Sequence, residues 1–402
     1  MINVAVFGYG TVGSGVVEVI DRNSAYVSGA AGDKVEVKYI LDLRDFPGDP
    51  NESKLVHDID VIIADPEVSI CCETMGGVGA AYKFTKMALE QGKSVCTSNK
   101  ELVAKHGAEL IRVAKEHGCA YLFEASVGGG IPIIRTLTTA LTAERITGIT
   151  GILNGTTNFI LSRMEQEGAD FAETLKTAQD LGYAEKDPTA DIEGHDTARK
   201  ISILSDIMSG HFVDSDAVLA EGITSVTGSD IAIASAAGYS IRLLGCAARY
   251  DDDSVSTMVA PFLVKKTHPL AGVSDVFNAI YVTGNMLGET MYYGKGAGKL
   301  ATASAVVADV IDAARKGSST MYGGWDETPV KTLSVSDSEF RFFVRCQKAS
   351  AEEVSAAFPG SERTAEAGDE TGIITAPVRD SEFRDKCRVL GDKVLGSIRV
   401  YE

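Results

Sequence analysis

The chain has 402 residues, 45% of them hydrophobic, and carries 38 Lys and Arg against 56 Asp and Glu, a formal net charge of −18. That length and apolar content can bury a large core divided over two or three domains. The acidic balance argues against nucleic acid as a partner, because phosphate binding needs a basic surface that releases counterions. No apolar run is long enough to span a bilayer.

The chain enters a strand pattern at Ile2 without a basic leader or a small-residue cleavage site, so no secretory signal is expected. Seven cysteines, an odd number scattered without a CxxC, fit reduced thiols in a cytoplasm. Cys71 and Cys72, neighbours in the apolar run VSICCE, both read as core.

Up to about Phe123 short apolar runs alternate with helical patterns, the signature of βαβ units and a Rossmann-type, doubly wound parallel sheet. In the first unit a strand from Val4 to Phe7 runs into Gly8, Gly10 and Gly13, a G-x-G-x-x-G that opens a helix. The glycines permit a tight turn and close backbone approach. A pyrophosphate can then sit against the helix N-terminus, which makes Gly8, Gly10, Thr11, Val12 and Gly13 candidate cofactor contacts. Glycine turns also occur for purely structural reasons, but between an N-terminal strand and a helix the pattern is specific.

NSAYVSGAAGDK reads as an insertion, after which a second strand, VEVKYIL, ends at Asp42. An acid there suits an adenosine ribose, whereas Arg44, two residues on, suits a 2′-phosphate, so NAD and NADP are both open. VSICCE then delivers Thr74 and Met75-Gly76-Gly77, and KSVCT delivers Ser98, Asn99 and Lys100, to the strand ends that line the ligand crevice. A lysine at such an edge is commonly just solvated, but Lys100 falls where the nicotinamide end should lie.

From about Arg145 the texture changes to that of a second, α+β domain: a strand and turn in ERITGITGILNGTTNFIL, helical patterns to Ser240, and strands between Ile241 and Tyr293. Within it, LKTAQDLG is a helix stopped by glycine, YAEKDPTADIEG reads as loop, and a new helix starts near His195. Five carboxylates, Glu185, Asp187, Asp191, Glu193 and Asp196, precede Arg199 and Lys200. Asp196 and Lys200 fall at i and i+4, which by itself suggests an exposed helix ion pair contributing only about 0.3–0.5 kcal/mol. Acids held in an irregular loop beside a lysine can instead bind an ammonium group and orient that lysine. A substrate that carries an ammonium and reacts at an oxygen beside a nicotinamide is an amino-acid alcohol or aldehyde. After KGSSTMYGGWDETPV, the order β-α-β-β-α-β suggests a small ferredoxin-like module that ends in SIRVYE.

Residues Ala178 to Lys200, with Gly182, Tyr183, Asp187-Pro188, Asp191, Gly194 and Asp196, match throughout the signature of the homoserine dehydrogenase family, which the chain resembles over roughly residues 1 to 316. The family's cofactor glycines, its SNK strand end (98–100), its NGTTN turn (154–158) and its glycine-rich return GKGAGKLATASAV (294–306) are also present. The resemblance implies NAD(P)-dependent interconversion of L-aspartate 4-semialdehyde and L-homoserine in the biosynthesis of threonine and methionine. It assigns Lys200 as proton donor and acceptor with Lys100 beside it at the cofactor and Asp196 in support. Glu185 would take the ammonium; Asp191, Tyr183 and Thr156 would complete the pocket, and Gly298 would return to the nicotinamide. In similar proteins the EASVGGGIP turn holds a monovalent cation (Na+ or K+), which carries over to Glu124, Val127, Gly129 and Ile131; otherwise the turn reads as an interdomain hinge. The C-terminal module is similar to ACT regulatory domains but lacks their proline-glycine turn, QKASAEE standing in its place, which sets a purely oligomerising role level with threonine binding.

The expected divisions are 1–135 completed by helix 299–316, then 136–298, a linker at 317–334 and the module at 335–402. A cytoplasmic homo-oligomer, dimer or tetramer, is expected. Two rival readings are an aspartate-semialdehyde dehydrogenase, which needs a nucleophilic cysteine in a turn, and a nucleotide-binding sensor without catalysis.

Overall fold

A computed structural model of the chain describes residues 1–316 and 325–402; the first part of the expected linker, 317–324, lies outside the described residues. In chain order the elements begin β1 (Ile2–Phe7), α1 (Thr11–Arg22), α2 (Ser24–Ala31), β2 (Val35–Leu41), β3 (Leu55–Val56), α3 (Ile59–Ala64), β4 (Val68–Glu73) and α4 (Gly79–Glu90). They continue with β5 (Ser94–Thr97), α5 (Lys100–Glu116), β6 (Tyr121–Leu122), α6 (Ile133–Arg135), β7 (Ile146–Ile152), α7 (Gly155–Glu167), α8 (Phe171–Asp180), α9 (Thr189–Ile192) and α10 (His195–Ser209). Next come β8 (His211–Phe212), β9 (Leu219–Ala220), α11 (Gly228–Ala236), β10 (Tyr239–Arg249), β11 (Val255–Lys265), β12 (Phe277–Gly284), β13 (Gly288–Lys295) and α12 (Lys299–Lys316). The last are β14 (Asp326–Pro329), β15 (Glu339–Phe340), β16 (Phe342–Gln347), α13 (Ala351–Ala357), β17 (Glu362–Ala367), β18 (Glu370–Ile374), β19 (Val378–Arg379), α14 (Asp380–Leu390) and β20 (Val394–Tyr401).

By internal contacts the chain forms two compact units. The first comprises Met1–Arg145, Ser202–Ser215 and Gly294–Val330. Its six strands pair in parallel in the order β3-β2-β1-β4-β5-β6, the Rossmann arrangement. Val4 to Phe7, Ile70 to Cys72 and Val95 to Cys96 are buried, the continuous apolar runs that a sheet covered on both faces requires. The stretch expected as an insertion is a helix, α2, which Gly32 stops at φ +85°. Helix α12 lies along α1 so closely that a Cβ on Gly15 would come within 2.9 Å of the Lys299 carbonyl oxygen. The Gly128–Gly130 turn also packs backbone to backbone: the Gly130 N–H donates to the Lys295 carbonyl at 3.1 Å, and a Cβ on Gly129 would sit 2.5 Å from Gly296.

The second unit comprises Ile146–Ile201, Asp216–Tyr293 and Lys331–Glu402. Its mixed sheet runs β13-β12-β7-β10-β11-β20-β16-β18-β17, with β9 added to β11. The C-terminal elements have their own apolar core, in which the Phe342 and Phe383 rings stack at 3.6 Å with Val344, Val354, Phe358 and Ile373 around them. Their strands do not stand apart, however: β20 pairs in parallel with β11, placing Arg399 opposite Phe262. The division expected at 335 therefore does not interrupt the sheet, and residues 331–402 cluster with the second unit. The divisions by contact fall at 145/146 and 293/294, where 135/136 and 298/299 were expected.

All seven cysteines are free thiols, and Cys71 and Cys72 are fully buried. Among the described residues no helix is long and apolar enough to cross a membrane.

Candidate active site

In the first unit, Gly8 turns the chain at φ +86° out of β1, and α1 begins at Thr11 after Gly10. A Cβ on Gly13 would collide with the Gly8 carbonyl oxygen, so this glycine is required by the turn itself. Gly10 differs: a Cβ there meets nothing within 4 Å. Its missing side chain leaves open space at the N-terminus of a twelve-residue helix, a cradle that fits a pyrophosphate. The Thr74 hydroxyl donates to the Phe7 and Gly8 carbonyls at 2.9 Å, so it braces the turn from the neighbouring strand.

At the far end, Asp42 and Arg44 are closed on each other. Asp42 Oδ1 accepts from Arg44 Nε (2.9 Å) and from the Arg44 N–H (3.0 Å), and Oδ2 accepts from Arg44 Nη2 (2.9 Å) and the Tyr9 N–H (2.8 Å). The Arg44 side chain is 63% exposed, and its guanidinium holds the Asp42 carboxyl well below the usual carboxylate range.

The crevice end is ordered by a residue that sequence reasoning passed over. Glu73, the last residue of β4, is completely buried; its carboxylate accepts from the Thr97 hydroxyl (2.5 Å) and the Met75 N–H (2.8 Å), tying β5 to the 74–77 loop. Burial pushes its pKa up to about 7 against these hydrogen bonds. Asn99 caps α5 by accepting from the Leu102 N–H, and its amide donates to the Gly77 carbonyl at 2.7 Å. Lys100 is thereby fixed as the first residue of α5, partly exposed, and Ser98 precedes the cap residue. The signal was an acid ending the apolar run Ile70–Cys72.

In the second unit, the crowded acids divide into different roles. The loop expected over 183–194 contains one helical turn, α9, because Asp187 accepts from both the Thr189 N–H and its hydroxyl (2.6 Å) and Pro188 precedes it. Lys200 and Asp196 are not an exposed pair: they are 9% and 4% exposed, and Lys200 Nζ donates to Asp196 Oδ2 and to the Leu153 carbonyl, both at 2.7 Å. Asn154 joins them. Its amide donates to Asp196 Oδ2 (2.8 Å) and to Asp191 Oδ1 (2.7 Å), while its Oδ1 caps α7 through the Thr157 N–H. Asn154 was legible only as part of the NGTTN turn; its bridging role depends on residues 37 and 42 positions away.

The Thr156 hydroxyl donates to the Tyr183 carbonyl at 2.6 Å, and the Tyr183 ring packs edge-on against Phe159. Together these pin the 178–184 turn to α7. Glu185 is exposed, with no partner for its carboxylate among the described residues. Lys200, Asp196 and Asp191 thus meet in one hydrogen-bond network about Asn154, Thr156 and Tyr183 form a separate contact, and Glu185 lies exposed on the same loop.

The proposed cation residues lie in the first unit. Glu124, 1% exposed, accepts from the Ile134 N–H (3.0 Å) and the Arg135 N–H (2.7 Å), and the Ile131 carbonyl accepts from the Ile133 N–H. Val127 is buried and Gly129 sits at φ +56°. Among the described residues no group of three or more His, Cys, Asp or Glu could hold a metal. Gly298, at φ +123° with open space where a Cβ would lie, immediately precedes α12.

Residues 8–124 match the model described as "Homoserine dehydrogenase, NAD binding domain", and residues 132–311 match that described as "Homoserine dehydrogenase". A homoserine dehydrogenase of Bacillus subtilis is 44% identical over 314 residues, 77% of this chain and 72% of the relative. The crystal structure of a homoserine dehydrogenase from Thiobacillus denitrificans superposes with a TM-score of 0.90 at 34% identity, covering 100% of this chain and 98% of that one. A hyperthermophilic archaeal homoserine dehydrogenase in complex with NADPH gives a TM-score of 0.66 at 29% identity, covering 78% of this chain and 97% of that one.

Proposed function

The chain belongs to the homoserine dehydrogenase family, NAD(P)-dependent oxidoreductases that interconvert L-homoserine and L-aspartate 4-semialdehyde, and from that premise we propose that Lys200 moves the proton at the substrate oxygen. The observation that carries this reading is the buried Lys200 Nζ, fixed 2.7 Å from a carboxylate and 2.7 Å from a main-chain carbonyl. When bound, the nicotinamide supplies or accepts the hydride. As hydride reaches the aldehyde carbon, negative charge grows on its oxygen; a positioned ammonium stabilises that charge and then protonates it. In the reverse direction Lys200 takes the hydroxyl proton. Asp196 holds the ammonium, and Asn154 holds Asp196 and Asp191 in one orientation. Glu185, an exposed carboxylate, anchors the substrate ammonium, and Asp191 flanks it. Lys100 serves the nicotinamide end from the start of α5.

The rival enzyme reading is not supported by its nucleophile: burial raises the thiol pKa of all seven cysteines. Oxidation of NADPH and NADH on addition of L-aspartate 4-semialdehyde, in the wild-type chain and in Lys200→Ala, tests the assignment.

Two finer readings go with it. The 124–131 turn offers hard oxygens, Glu124 and the carbonyls of Val127, Gly129 and Ile131, suited to a structural Na+ or K+, although Gly129 is already required by its approach to Gly296. The C-terminal strand order β20-β16-β18-β17, with α13 and α14, supports reading this part as an ACT-like module that serves a cytoplasmic homo-oligomer.

A further inference from the structure

Glu221 stands outside the site just described but is joined to it through the main chain. It follows β9, whose Leu219 and Ala220 pair with Met258 and Val259 of β11, and its N–H donates to the Val259 carbonyl at 2.8 Å. The next residue, Gly222, lies so near the 192–193 backbone that a Cβ on it would collide with the Ile192 carbonyl oxygen. Ile223 donates its N–H to that same carbonyl at 2.8 Å. Gly194, at φ +84°, completes the fit: a Cβ there would sit 3.1 Å from Val259 Cγ1. Residues 221–223 are thus the floor under the Ile192–Gly194 turn. That turn joins α9, which carries Asp191, to α10, which carries Asp196 and Lys200.

The Glu221 side chain is held from the C-terminal strands. It accepts from Arg399 Nη1 (2.5 Å), Arg399 Nη2 (3.2 Å) and Arg384 Nη2 (2.6 Å). Both arginines also bind Asp380, at 2.5 Å from Arg399 Nη2 and 2.6 Å from Arg384 Nε. Arg399 and Asp380 are 4% and 1% exposed, and Arg399 is fixed by its place in β20 opposite Phe262. Burial acts to raise the pKa of Glu221, but the arginines outweigh it and hold the group ionised. A carboxylate one third exposed but shared between two guanidinium groups, one of them buried, is a directional restraint.

We propose that Glu221 is a positioning residue for the substrate loop: Arg384 and Arg399 clamp its carboxylate, the clamp sets the 221–223 main chain beneath Ile192–Gly194, and that fixes Asp191 and Asp196 about Asn154 and Lys200. This rests on the assignment of Lys200 and Asp191 to the site. Glu221 touches no substrate; it acts through the backbone.

Steady-state kinetics on the full chain test it. Glu221→Gln is expected to raise KM for L-homoserine about tenfold, with kcat within about threefold of wild type and the Kd for NADPH unchanged. Glu221→Asp, which keeps the charge, should recover most of the loss. Arg384→Met, which removes the half-exposed arm of the clamp, should raise KM about two- to fivefold. A folded Glu221→Gln with wild-type KM overturns the proposal. So does one in which kcat, NADPH affinity and melting temperature all fall together, the mark of a scaffold residue. Should Glu221→Gln not fold, Arg384→Met decides, and an unchanged KM there is fatal to the clamp. Absence of homoserine turnover in the wild-type chain sinks the site assignment and the clamp with it; normal wild-type turnover with an unresponsive Glu221→Gln sinks the clamp alone.

Discussion

Lys200 holds its ammonium between a carbonyl and a carboxylate that are themselves fixed, so its substitutions should separate chemistry from scaffold. Lys200→Ala should lower kcat by roughly 10²–10⁴-fold, the range for a positioned acid–base group, while the Kd for NADPH stays at the wild-type value. Lys200→Arg should not rescue homoserine oxidation, because a guanidinium keeps its proton. Turnover near wild type in Lys200→Ala would pass the role to Lys100. At the other unit's adenosine end, each Asp42 oxygen already accepts two hydrogen bonds, which leaves Arg44 as the group presented outward. Arg44→Ala is expected to raise KM for NADPH about tenfold, in line with loss of one charge-assisted phosphate contact, and to leave KM for NADH equal or lower because Asp42 is released. Equal losses with both cofactors would refute this. The i, i+4 spacing showed that Asp196 and Lys200 share a helix face; that the face is buried was not readable from it, since burial depends on Leu153 and Asn154, which arrive from the turn between β7 and α7.

The glycine turn between β1 and α1 separates two kinds of glycine. Gly13→Ala drives a methyl into the Gly8 carbonyl and should destabilise the fold, seen as a lowered melting temperature. Gly10→Ala has room, so it should melt like wild type and lose NADPH affinity, measured by fluorescence titration. Loss of both in Gly10→Ala would contradict the cradle. Glu73, at the end of β4, gives a pH signature. Its folded pKa near 7 lies above its ordinary value, so the folded state binds the extra proton and stability should decline as pH rises between about 4.5 and 7, by about 3 kcal/mol in total if other groups are silent. Glu73→Gln should remove that component from melting curves taken at pH 5 and pH 8. Elements whose apolar residues repeat regularly, β1, β4 and α5 among them, were legible in the sequence. Two were not: α2, a short segment of small residues whose stop is a left-handed Gly32, and α9, a single turn begun by the Asp187 side chain.

For the whole molecule, the parallel Rossmann-type sheet followed from the alternation of apolar runs and helical patterns, but the continuity of the second sheet did not. Parallel pairing of β20 with β11 leaves no local mark, because it joins segments far apart in the chain. The helix α13 starts after QKASAEE begins with a short turn at Lys348–Ser350, in the place where a proline-glycine turn would stand in an effector-binding module. L-threonine at about millimolar concentration, an ordinary effector range, should therefore inhibit weakly or not at all; strong inhibition in initial-rate assays would assign the module a sensing role. The position of β20 also has a consequence for synthesis. β11 ends at Lys265 and β20 begins at Val394, so a nascent chain exposes the hydrogen-bonding edge of β11 long before the strand that covers it leaves the ribosome. Such an edge invites pairing with a neighbouring chain. Slower elongation between these two strands should therefore lower the soluble yield, and early chaperone contact should restore it.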